Sequence, residues 1–402
     1  MKILLVTFGS RGDVQPVLAL ALAIQDRGHE VLLVGPPERA TWAQEYGCPY
    51  RPLGGNLTAF IDGIPQAHTL TAALRFVAFV YREVREQFER LHEILEGADL
   101  VIGASLVFAL SSVAEQMGVP YRYLAFCPQI LPSAYHPFPA FKTQRFPSGL
   151  NRLTWKGMHT LDRIGLSRLV NNWRKQAGLM ALQDPWSHFV GDKVIVASDP
   201  ELAGLPPDLE TRADQTGYLH LRQSRPSNPV LEKFFESGLP PVFAGFGSMP
   251  KKDQARNVSL MVKAARLNGQ RIIINKFWDE PSEYSGEKDV FFLKGYPHLE
   301  LFPKVSMVIH HGGAGTTASS AISGVPQIIV PHILDQYYWG ERIYRARLGP
   351  KPIRRSRLSA RNLGQAIQEC LSDNRMRLKA GEISCRIRDR DSLGLTVDAL
   401  SL

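Results

Sequence analysis

Short, continuously apolar runs alternate with longer amphipathic stretches along nearly the whole chain. Residues 2–8, 31–34, 100–102, 121–126 and 193–197 read as strands in the first half. Residues 241–246, 271–275, 290–293, 307–310 and 327–330 do so in the second. Unbroken apolar runs, rather than alternating ones, mark strands buried on both faces of a parallel sheet. With helix-length segments between them, they predict the doubly wound α/β class. The rhythm pauses once, between residues 222 and 241, where Ser224, Pro226, Ser227, Asn228, Pro229, Pro240 and Pro241 surround one short helix at 230–237. The pattern therefore predicts two Rossmann-like domains, 1–220 and 241–380, joined by a linker at 221–240. A helical tail, 381–402, is expected to pack back on the first domain. Ligands of such sheets sit beyond the carboxyl ends of the strands, so two facing domains put a site in the cleft between them.

Composition narrows the class. A chain of 402 residues suits two domains, and an apolar fraction of 44% supplies their cores. The net charge of +9 is modest for this length and comes with no nucleic-acid-binding signature, so no nucleic-acid partner is expected. Cys48, Cys127, Cys370 and Cys385 lie far apart and form no Cys-x-x-Cys pair, which points to reduced thiols in a cytoplasmic protein and to no metal site. The opening segment reads as a first buried strand rather than a signal peptide, because Gly9, Ser10, Arg11 and Asp13 interrupt it. No apolar run approaches the ~20 residues that span a bilayer. One stretch stands out: residues 142–175 carry Lys142, Arg145, Arg152, Lys156, Arg163, Arg168, Arg174 and Lys175 against the single acid Asp162, with leucines and tryptophans interleaved. Two readings stay open for it: a surface helix packed on the first domain, or a basic amphipathic helix touching an anionic membrane.

The chemistry concentrates at strand ends. His310 and His311 close an apolar run, Gly312, Gly313 and Gly315 follow, and a short helix is expected over 316–323. Glycines allow close backbone approach, and free N–H groups at a helix start attract anions, so this turn reads as a grip for the diphosphate of a nucleotide sugar. The first turn, GSRGDVQP at 9–16, lacks the G-x-G-x-x-G spacing of a dinucleotide site. Its Asp13 is placed either to draw a proton from an alcohol in the cleft or to act as an N-cap. Ser248, in GFGSM at 245–249, offers a hydroxyl to a phosphate. Asp335 and Gln336 offer an acceptor and an amide suited to sugar hydroxyls, with helix capping by Asp335 as the alternative. The triplet Asp389-Arg390-Asp391 lies in a charged helical tail, away from any strand end, and is not read as a metal site. The cluster Arg354-Arg355-Ser356-Arg357 reads as a solvated face.

Taken in order, these motifs resemble those of GT-B glycosyltransferases of the family-1 type, in particular the sterol 3-beta-glucosyltransferase-like and bacterial antibiotic aglycone glycosyltransferase-like groups. The resemblance runs from GSRGDVQP through GFGSM, Tyr296-Pro297-His298, HHGGAGTT at 310–317, Gly324-Val325-Pro326 and DQYYW at 335–339 to GPKPI at 349–353. It implies inverting, metal-independent transfer of a hexose, with glucose favoured, from a nucleotide diphosphate sugar. The donor is UDP-linked in the favoured case and dTDP-linked in the alternative. The acceptor is a lipophilic alcohol such as a sterol, terpenoid or polyketide. No cofactor is implied; the nucleotide sugar is a co-substrate. Asp13 takes the place of the catalytic base, beside an acceptor turn of Ser10, Arg11 and Gly12. His311 takes that of the diphosphate contact, thirteen residues before Gly324, with Ser248, Gly313, Gly315 and Thr316 beside it. Asp335 and Gln336 match the pair that holds the transferred sugar, and Tyr296 and His298 flank the nucleobase. The position of a ribose-binding glutamate is Ser319, and that of an aspartate relay behind the base is Ala104-Ser105, so no relay is expected. Nucleotide-sugar 2-epimerases and a nucleotide-sugar-binding protein without transfer are the alternative readings. Apolar stretches 76–81 and 126–146 are candidate acceptor walls.

Overall fold

The computed structural model describes residues 1–56, 59–60, 70–162, 165–223, 228–246, 254–275, 284 and 286–402. Seven strands form the first sheet: β1 (Lys2–Phe8), β2 (Glu30–Gly35), β3 (Tyr50–Pro52), β4 (Leu100–Ser105), β5 (Tyr121–Ala125), β6 (Lys193–Val196) and β7 (Arg212–Gln215). They pair in parallel in the order β3-β2-β1-β4-β5-β6-β7. Five more form the second: β8 (Val242–Gly245), β9 (Ile272–Asn275), β10 (Val290–Leu293), β11 (Met307–His310) and β12 (Gln327–Ile329), in the order β10-β9-β8-β11-β12. Both sheets are wound in two directions from a central strand. The order reverses between β1 and β4 in the first and between β8 and β11 in the second. Those two switch points open the crevices in which such folds hold ligands.

The central strands explain their own position. Ile3, Leu4, Leu5 and Val6 have no exposed surface, because helices cover both faces of β1. One face packs with Phe79, Val84 and Phe88 of the helix Leu70–Ile94; the other packs with Val17, Leu18 and Ala21 of the helix Arg11–Asp26. The edge strands β3 and β7 carry polar residues such as Arg51, Asp214 and Gln215, which is why no apolar run announces them.

The chain does not divide cleanly at its linker or tail. In the helix Pro229–Glu236, Leu231 and Phe234 are buried with Phe243 and Ile273 of the second sheet. The helix Asn374–Arg388 packs on the helix Ala314–Ile322. The last helix, Ser392–Ala399, crosses back, and Val397 and Leu400 join the core that holds β1. Arg390 anchors this crossing by donating to Glu201 and Asp199, and Asp391 caps the last helix. Cys127, Leu202 and Ala203 of the first domain share an apolar seam with Tyr338, Trp339 and Ile343 of the second. Among the described residues no helix is long and apolar enough to cross a membrane.

Candidate active site

At the first switch point β1 ends at Phe8 and the helix Arg11–Asp26 begins at once. Ser10 is the N-cap, and its hydroxyl accepts from the Gly12 N–H. Asp13 is the third helical residue rather than the cap, and its carboxylate closes a capping box. One oxygen, Oδ2, accepts from the Ser10 N–H at 2.7 Å and the Ser10 hydroxyl at 2.9 Å. The other, Oδ1, accepts from Ser105 Oγ at 2.7 Å. Ser105 ends β4 on the far side of the switch point and holds a left-handed φ of 60°. Ser105 lies at the position matched to the aspartate relay, where no relay was expected, and its hydroxyl orients the Asp13 carboxylate. Gly9 is required here, since a Cβ would stand 2.3 Å from Asp13 Oδ2.

The second switch point carries the histidine turn, and its two histidines do different work. His310 is fully buried at the end of β11. Its Nδ1 accepts from the Gly312 N–H at 3.1 Å, so Nε2 carries the proton and donates to Gln327 Oε1 at 3.0 Å. It is spent on holding the turn. His311 has a buried Nδ1 with no hydrogen-bond partner among the described residues, and burial pushes the imidazole down to about 4. Gly312, at φ 93°, lets the turn pass under Gln336, where a side chain would collide. Gly313 is the N-cap of the helix Ala314–Ile322, which starts earlier than the sequence suggests and receives no side-chain cap among the described residues. Its first N–H groups are open to a ligand anion. Gly315 makes room for Tyr218, whose hydroxyl would lie 2.6 Å from a Cβ there. Thr316 follows in the first turn of this helix, half-buried. Ser319 is buried within the helix. Ser248 lies outside the described residues.

The helices Arg11–Asp26 and Ala314–Ile322 touch. His298 stacks on Phe302 with ring centroids 4.4 Å apart. Burial, then the neighbouring charges of Arg11, His311 and His220, hold it down to about 4. His298 therefore lies within electrostatic reach of His311 and His220, while Tyr296 packs beside the apolar cluster around Phe302. His220 was not anticipated from sequence. It follows β7, its ring lies 5.0 Å from Tyr218, and its buried Nε2 has no partner among the described residues. Arg11 lies over the Trp42 ring.

Asp335 and Gln336 begin the helix Gln336–Arg345, after Leu334 at a left-handed φ of 47°. Asp335 makes no side-chain cap among the described residues. Burial, then the negative charge of Asp13, raises it to about 7, against the opposing Trp339 indole. The two carboxylates therefore lie within electrostatic reach of each other. Gln336 Oε1 accepts from the His332 and Ile333 N–H groups at 2.9 and 3.1 Å, which leaves its amide NH2 to donate. Of the acceptor candidates, Phe79 is core, packed on Phe8 and Phe60. Phe138 lines a cavity of about 400 Å3 with Phe108, Met158, Trp186 and Phe189.

Comparison with known proteins agrees with this layout. Residues 3–136 match the glycosyltransferase family 28 N-terminal domain, and residues 287–389 match the erythromycin biosynthesis protein CIII-like C-terminal domain. Glycosyltransferase GtfE of Amycolatopsis orientalis is 36% identical over 87% of this chain and 85% of its own. The vancomycin aglycone glucosyltransferase of the same organism is 35% identical over 87% and 85%. A sterol 3-beta-glucosyltransferase of Arabidopsis thaliana is 29% identical over 99% of this chain and 67% of its own. Among solved structures, the calicheamicin glycosyltransferase superposes with a TM-score of 0.73 at 18% identity, covering 100% of this chain and 96% of that one. The kitacinnamycin glycotransferase gives 0.73 at 18%, covering 99% and 97%. These likenesses carry the fold, two facing α/β domains of the GT-B type.

Proposed function

The chain belongs to the glycosyltransferase family that contains these glycopeptide and sterol enzymes, and on that premise we propose that it moves glucose from UDP-glucose to a hydroxyl of a lipophilic alcohol. The observation that carries this reading is the contrast between the helix starts at the two switch points. One holds a carboxylate of its own; the other has no side-chain cap, and lies beside a His311 Nδ1 without a hydrogen-bond partner, among the described residues. The names of the vancomycin and sterol relatives, both glucosyltransferases, support glucose, and the sterol relative's name supports a lipophilic acceptor. A dTDP donor is the alternative, supported by a relative named dTDP-epi-vancosaminyltransferase.

In this mechanism Asp13 takes the proton of the acceptor hydroxyl. The oxygen attacks the anomeric carbon from the face opposite the diphosphate, and the configuration inverts. The bond from that carbon to the phosphate oxygen breaks, and its electron pair leaves with the diphosphate. His311, the open N–H groups of the Ala314–Ile322 helix and Ser248 meet the growing charge without a metal. One such donor is worth roughly 3–4 kcal/mol in the transition state. The Gln336 NH2 and the Asp335 carboxyl hold sugar hydroxyls.

The test is a panel of nucleotide sugars incubated with and without lipophilic alcohols. Acceptor-dependent release of nucleoside diphosphate is the expected result. Conversion of the donor sugar with no acceptor present would instead make the protein an epimerase, and binding without turnover would make it a nucleotide-sugar-binding protein.

A further inference from the structure

The basic segment 142–175 forms two helices, Ser148–Asp162 and Leu166–Gln176, rather than one. Their inward faces are spent on packing. Asn151, Thr154 and Trp155 are buried in the first helix, and Ser167, Val170 and Arg174 in the second. Trp173 stacks on Phe88. Two of the cations are spent as well: Arg174 donates to Glu115 at 2.6 Å, and Arg145 donates to Glu341 of the second domain at 2.9 Å.

What remains outward is ordered. Leu150, Leu153 and Leu161 are 41%, 59% and 61% exposed, and the turn of the helix brings them onto one edge together with Gly157. Arg152 and Lys156 stand exposed on the adjoining edge. Arg168 and Lys175 stand exposed on one side of the second helix. Neither exposed face carries an acid: Asp162, the only one in the segment, turns inward to accept from the Ser167 hydroxyl. Asp208, on another loop, feels the charge of Arg152.

A scattered exposed leucine calls for no explanation, but three along one helix edge beside a basic edge form a patch with two chemistries. A layer of anionic headgroups over acyl chains matches both at once, taking the cations at its surface and the leucines just below. We infer that this face docks on an anionic membrane surface, with the helix Ser148–Asp162 lying in the headgroup plane.

The experiment is co-sedimentation of the full chain with vesicles of phosphatidylcholine alone or mixed with phosphatidylglycerol, at low and high salt. No sugar donor is present, so the outcome is separate from that of the transfer reading. The chain should pellet only with the mixed vesicles and be released by high salt. R152E/K156E should weaken this by about tenfold or more, and L153S/L161S several-fold, with unchanged circular dichroism melts and UDP binding. Equal pelleting on neutral vesicles, none at low salt, or wild-type binding by both variants would overturn the proposal. So would self-association that L153S/L161S abolishes in a protein that ignores vesicles, which would assign the face to a second copy.

Discussion

The two strand–turn–helix units at the switch points have the same topology and opposite chemistry. The helix after β1 is capped from within: Ser10 and Asp13 close a capping box, and Ser105 reaches across to the same carboxylate. The helix after β11 starts at a glycine, without a side-chain cap among the described residues, next to an imidazole that burial keeps neutral. A helix start attracts negative charge, and the molecule meets that demand in two ways. The first unit supplies its own anion and so presents an oriented carboxylate to the cleft. The second has none of its own among the described residues, and there we propose that the anion of a ligand binds.

The largest effect should come from removing the internal anion. Asp13→Asn keeps the volume and loses the base, so turnover should fall about 10³-fold, within the range of general-base loss. Rates in initial-velocity assays that match the parent would put the base elsewhere. Removing the donor at the uncapped start comes next. His311→Ala should cost about 10²-fold in kcat/KM for the nucleotide sugar, and unchanged donor kinetics would remove His311 from the phosphate site. Ser105→Ala should lower kcat about tenfold, the worth of one hydrogen bond to a charged group, while leaving KM for the donor in place. A fall in both together would mean that Ser105 supports the fold rather than the carboxylate.

The smallest and most distributed effect is on stability against pH. His136, His220, His298 and His311 are held down to about 4 and His310 to about 3, burial being the first cause in each. An unfolded histidine takes up its proton near pH 6.5, so between there and about pH 4 the unfolded chain binds more protons and the fold loses stability as pH falls. Asp335 and Asp199, raised to about 7 and about 6, act in the opposite direction over the same window. The five histidines outweigh the two carboxylates. Melting temperature should therefore drop between pH 7 and pH 4; a flat or rising profile would contradict the burial of these rings.

Much of this comparison was legible before the structure, because it rests on short-range features. The apolar run before His310, the glycines after it and the spacing of Asp13 from Gly9 are all local, and local geometry follows from them. The partners were not legible. Ser105 lies 92 residues from Asp13 and carries no pattern of its own. His220 and Tyr218 reach the second domain from the last stretch of the first, and only the docking of the domains gives them a role. The edge strands β3 and β7 were missed because edges tolerate polar residues, and the segment 142–175 read as one helix because charge and leucine content do not reveal the break beside Gly165.

We propose that one helix start holds the base and the other holds the diphosphate. Calorimetric titration of UDP into the parent, Asp13→Asn and His311→Ala proteins tests it most directly. Asp13→Asn should bind UDP as the parent does, while His311→Ala should bind at least about tenfold more weakly. Equal weakening in both variants, or parent-like binding by His311→Ala, would contradict it.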